Sequence, residues 1–177
     1  NLFLLASILL SVSLIPILLT EIKAPDAEIQ ESLGIKALWK ASPTGLITIG
    51  VSGLASAGFF GVGTIYAIKA GLNVSETALF MTLFIGFGAV SQLPLGWLSD
   101  KIDRRKVILL CCVMVTSICV LLSIFEFSKT VFLILNGLIG ASTLPLYSLG
   151  VAQTNDRLKP NQMVSASGTI VLVYSIF

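Results

Sequence analysis

Histidine is absent from this 177-residue chain, and charge is scarce: charged side chains make up 11% of it, against roughly 25% in ordinary water-soluble domains. The missing imidazole removes the commonest general base and metal ligand at neutral pH. No carboxylate falls inside any of the long apolar stretches either, and because enzymatic chemistry normally needs a base, nucleophile or metal site, an enzyme is not expected. The three cysteines, Cys111, Cys112 and Cys119, share one apolar stretch, where neighbouring thiols do not readily bridge and metal-binding spacing is lacking, so they read as small packing residues. No Gly-x-x-x-x-Gly-Lys-Ser/Thr run is present, so nothing here couples ATP. A net charge of +2 gives no case for nucleic acid. The sequence calls for no cofactor and no metal.

What the chain has instead is apolar length. Apolar residues reach 55%, and residues 1–20, 41–68, 77–99, 107–125, 130–155 and 160–177 contain no charged side chain. Windows of that length cross a bilayer as helices, because in lipid every backbone N–H and C=O needs an internal partner. The expectation is an all-α, polytopic membrane bundle with five full spans and the start of a sixth. Beginning at Asn1 and ending at Phe177 within an apolar run, the sequence reads as a fragment. Its expected partner is the lipid bilayer.

Loop cations set the orientation. Residues 21–43, 100–106 and 156–162 carry Lys23, Lys36, Lys40, Lys101, Arg104, Arg105, Lys106, Arg157 and Lys159, whereas the alternate loops carry only Lys69 and Lys129. Short cytoplasmic loops are enriched in Lys and Arg. The first set is therefore expected in the cytoplasm, with the first span running inward.

Residues 96–105, Gly-Trp-Leu-Ser-Asp-Lys-Ile-Asp-Arg-Arg, form a charged turn between two of the apolar windows. The pattern Gly96-x-x-x-Asp100-Lys101-x-x-Arg104-Arg105 resembles the signature loop of the major facilitator superfamily, which usually has Gly where this chain has Asp103. Ser52-Gly53, Gln92-x-Pro94-x-Gly96-x-Leu98-x-Asp100-Lys101, Leu144-Pro145 and Leu172-Val173-Tyr174 together resemble the bacterial YcaD-type branch. The resemblance implies a partial superfamily fold in the bacterial inner membrane and secondary transport of a small solute by rocking between two half-bundles, with the solute and a missing N-terminal half of the same chain as partners. In the preferred register, residues 1–20 are the sixth span, 21–43 the cytoplasmic linker with a surface helix, and 44–177 spans seven to eleven, the last truncated. The other register makes this turn the superfamily's stronger copy, between spans two and three, and leaves residues 1–20 as an extra span.

Asp100 ends its own helix, where the helix dipole disfavours a carboxylate by about 0.3–1 kcal/mol. A partner is implied: Arg104 or Arg105 across the turn, or the N-terminus of a helix in the other half. A contact of the second kind exists only when the inner side is closed, so Gly96, Asp100, Lys101, Arg104 and Arg105 are the expected conformational gate. Gly96 would permit close helix approach, and Asp103 a differently shaped turn if a left-handed residue is needed there.

In the linker, Pro25 suits a helix start, Asp26, Glu28 and Glu31 its positive end, and Lys36 and Lys40 its negative end. Ile29, Leu33 and Ala37 form an expected apolar stripe and Trp39 a headgroup anchor. Such a helix serves either as a sliding connector or as a passive tether. Gly53, Ala57 and Gly61 make a small-residue face for packing or bending, and Pro94 and Pro145 are expected kinks. Uncharged polar candidates for a substrate cavity are Ser52, Ser56, Thr64, Tyr66, Gln92, Asn136 and Tyr147; each would serve equally as a bond to a neighbouring helix. A transporter is the leading expectation, and a non-transporting membrane scaffold or receptor the alternative.

Overall fold

The computed structural model describes residues 2–19 and 33–176, and its regular structure is helical throughout. Helix α1 (Leu2–Leu18) stands as its own unit: its described side chains are exposed, as lipid-facing groups are, and Ser7 and Ser11 return their hydroxyls to carbonyls one turn back. The second unit holds α2 (Ile35–Ala41), α3 (Pro43–Lys69), α4 (Val74–Lys101), α5 (Arg104–Ile124), α6 (Lys129–Asn155) and α7 (Pro160–Ile176). Among the described residues, helices α3 to α6 are the four long and apolar enough to cross a bilayer, and α1 and α7 have 17 residues each.

The boundaries follow from local chemistry. Pro43 and Pro160 open α3 and α7, where a missing N–H costs nothing. Asn73 and Glu76 exchange bonds with each other's backbone in a capping box at the start of α4. α3 stops at Gly71, whose φ of +83° lets the Leu72 and Gly71 amides turn back onto the Ala67 and Ile68 carbonyls. Leu72 then packs beside Ala67, Phe80 and Leu133.

α6 is the central helix, touching α3, α4 and α5, while α7 lies along α3. α4 and α6 run in the same direction and approach most closely at two glycines. A Cβ on Gly140 would overlap the Phe84 backbone, and one on Gly88 would lie 3.0 Å from the Gly140 carbonyl oxygen. Such backbone proximity is how helices gain dispersion energy in lipid, where burial gives little drive. Side chains tie the pair along its length: Lys129 to Glu76 at 2.8 Å, Asn136 Nδ2 to the Phe80 carbonyl at 2.7 Å, and Ser91 Oγ to the Ala141 carbonyl at 2.6 Å.

Two expectations change. The stripe Gly53, Ala57, Gly61 divides: Gly53 meets the Tyr174 backbone on α7, whereas nothing lies within 4 Å of a Cβ on Gly61 and Ala57 is exposed. Among the described residues nothing lies within 4 Å of a Cβ on Gly96, whose expected close approach was to a helix of the other half. In the linker, Leu38 is fully buried and Ala37 exposed, because α2 starts at Ile35 after an extended Gly34 and turns Leu38 onto α3 and α7. Pro25, Asp26, Glu28, Ile29 and Glu31 lie outside the described residues. Leu33 is described and precedes α2, and Trp39 is exposed as a headgroup anchor would be. Pro94 and Pro145 sit inside unbroken α4 and α6.

Candidate functional site

Only Ile102 and Asp103 separate α4 from α5. Asp103 has φ −55° and caps α5 by accepting the Arg105 amide at 3.0 Å. The position therefore needs no left-handed residue, and Asp serves there as an N-cap, as Gly also does.

Arg104 is the hub of the turn. Its Nη2 donates to Asp100 Oδ1 at 3.1 Å, Nη1 to Ser99 Oγ at 3.2 Å, and Nε to Asp156 Oδ2 at 3.0 Å. Asp100 closes α4 and Asp156 caps the C-terminus of α6, so both carboxylates sit at negative dipole ends. Arg104 stands at the positive start of α5. One guanidinium fork thus offsets three unfavourable dipole placements and joins three helices, which a point-like ammonium would do poorly. The Arg104 side chain is 17% exposed, and those of Asp100 and Asp156 are 69% and 52% exposed. With solvent screening at the carboxylates, each pair contributes no more than about 1 kcal/mol. A network of that strength holds and releases readily. Beside it opens a polar cleft of ≈ 450 Å³ lined by Ser99, Asp100, Arg104, Gln153, Asp156 and Arg157, among others.

The other cations of the turn stand apart. Lys101 Nζ lies 3.6 Å from the centroid of the Trp97 ring, a cation–π contact, and Arg105 is exposed. Asp156 and Ser99 were not among the residues expected from sequence. Asp156 had the same signal as Asp100, a carboxylate at the C-terminal end of an apolar helix.

The cavity candidates do not converge. Asn136 and Tyr66 face one apolar groove of ≈ 310 Å³ between α3 and α5, with Phe59, Phe80, Phe84 and Phe132. Ser52 is buried with its hydroxyl on the Ile49 carbonyl at 2.8 Å, and Ser56 is also buried. Tyr147 meets Tyr174 edge-on, centroids 4.8 Å apart, while Gln92 and Thr64 are exposed. Asn136 links helices: replacing it with Leu removes the bond it adds to the Phe80 carbonyl across α4 and α6, and is expected to lower stability by about 0.6–1.7 kcal/mol. Thermal unfolding in detergent checks this, and an unchanged midpoint would contradict it. Among the described residues no His, Cys, Asp or Glu cluster could hold a metal.

Long apolar helices, small-residue crossings and a charge cluster at one end of the bundle define a polytopic membrane protein. The chain belongs to the Major Facilitator Superfamily, whose family model matches residues 1–177. It is 25% identical over 170 residues to an uncharacterized MFS-type transporter, YcaD, of Escherichia fergusonii, covering 95% of this chain and 44% of that one. YcaD proteins of Escherichia coli O139:H28 and Shigella sonnei are each 24% identical over 165 residues, covering 92% of this chain and 42% of theirs. The chain thus spans less than half the length of these relatives. No solved structure matches it.

Proposed function

We propose that this chain is the second half-bundle of a secondary transporter that moves a small solute by alternating access, with α1 as span six and α3 to α7 as spans seven to eleven. The Arg104 cluster carries the reading. Positive-inside loops support placing the turn in the cytoplasm of a bacterial inner membrane. There Asp100, with most of its side chain exposed, is free to meet the positive N-terminus of a helix in the first half when the inner side closes. Arg104 holds that carboxylate ready and Asp156 anchors Arg104. Breaking the contact between halves opens the inner side, so the cluster biases a two-state equilibrium.

No charge sits inside the long apolar windows, which supports an uncharged, sugar-like or amphipathic solute held between the halves. In proteoliposomes of the full-length protein, saturable movement of such a solute is expected, with Asp100→Asn reaching the membrane normally but transporting more slowly. Equal rates for the variant and wild type would defeat the gate, and movement no faster than through empty liposomes would favour a scaffold.

A further inference from the structure

Residues 33–42 are stitched across one end of the bundle. The Leu33 amide donates to Ser165 Oγ at 3.0 Å, and Thr169 Oγ1 donates to the Leu33 carbonyl at 2.6 Å, so both backbone groups of one residue are held by side chains one turn apart on α7. Leu38 is fully buried among Leu46 and Ile49 of α3 and Ala166, Ile170 and Val173 of α7. Ser42 Oγ donates to the Gln153 carbonyl on α6 at 3.3 Å. Leu158, in the turn between α6 and α7, packs against the same cluster as Leu38, two residues from Asp156.

We propose that this segment is a strap that holds the α6–α7 turn where Asp156 meets Arg104, so that docking of the linker and assembly of the Arg104 cluster are coupled. Three attachments on α6 and α7 flank that turn, and Leu158 of the turn packs on the cluster that Leu38 enters. When the strap lifts, Leu158 loses its packing, the turn gains freedom, and Asp156 leaves the guanidinium. Ser99, 3% exposed beneath Arg104, is then uncovered. The linker becomes the element through which one half of the protein acts on the charge cluster of the other. That regulatory meaning rests on the proposed function above; the coupling itself does not.

The test uses full-length protein in membrane vesicles, with Cys111, Cys112 and Cys119 replaced by alanine. Two separate reporters, Leu38→Cys for the strap and Ser99→Cys for the cluster, are reacted with N-ethylmaleimide. The strap is loosened by Ser165→Ala with Thr169→Val, and independently by Leu33→Pro, which removes the donor itself. Two lost hydrogen bonds raise the undocked population on the order of tenfold. Both reporters are expected to react faster together, by comparable factors. A Leu38→Cys thiol that speeds up while the Ser99→Cys thiol does not would overturn the coupling. Protection of Leu38→Cys in both loosened backgrounds would overturn the strap. Should Asp100→Asn transport normally, the gate reading fails while the thiol result still decides the coupling.

Discussion

Gly140→Ala is expected to unfold the full-length protein at a markedly lower temperature, a loss of about 3 kcal/mol or more, while Gly96→Ala and Gly61→Ala, whose new methyl groups meet nothing among the described residues, do not lower it. The new methyl group at position 140 would occupy the space of the Phe84 backbone, and backbone cannot rotate aside as a side chain end can. Overpacking of a well-fitted contact costs about 1–3 kcal/mol where neighbours relax, and here relaxation means separating α4 from α6. Gly88→Ala should fall between, since its new methyl group would meet chiefly the Leu144 side chain. Thermal unfolding in one detergent ranks the four variants, and a Gly140→Ala midpoint equal to that of Gly96→Ala would refute the close crossing.

Arg104→Met carries the other large effect. It removes the cation that bonds both Asp100 and Asp156, leaves Ser99 Oγ without its donor, and sets two carboxylates at helix ends that disfavour them. Transport by the full-length protein is expected to fall at least about tenfold, equivalent to ~1.4 kcal/mol. Arg104→Lys should lose less but not recover fully, because one ammonium does not span three acceptors as a planar fork does. Initial rates in proteoliposomes, compared at matched protein content, decide it; a fully active Arg104→Met would remove the cluster from the mechanism.

Much of this architecture was legible because lipid permits so few structures. Once water is excluded, charge-free windows become helices, and residues 41–68, 77–99, 107–125 and 130–155 correspond to α3 through α6. The charged turn was legible for the same reason: a short break between two long windows has nowhere else to go. Pairing across distance was not. Arg104 meets Asp156 52 residues later, and periodicity in one helix says nothing about the rotation of another. Which face of α2 packs is set by residues distant in sequence, Leu46 and Ile49 on α3 and Ala166 on α7, and they receive Leu38 rather than Ala37. The polar cavity candidates scattered for a related reason. Ser52 satisfies its hydroxyl within its own helix and Asn136 bonds across to α4, so neither is obliged to face a ligand.

The central claim is that the Arg104 cluster belongs to a switch between two accessible states. It is tested most directly by placing single cysteines on either face of the reconstituted full-length protein and labelling them from inside and outside, in wild type and Asp100→Asn. The account predicts that Asp100→Asn raises labelling from the inside and lowers it from the outside, since the closing contact is lost. Identical labelling of the two proteins from both sides would contradict it and leave the turn as a loop that only sets topology.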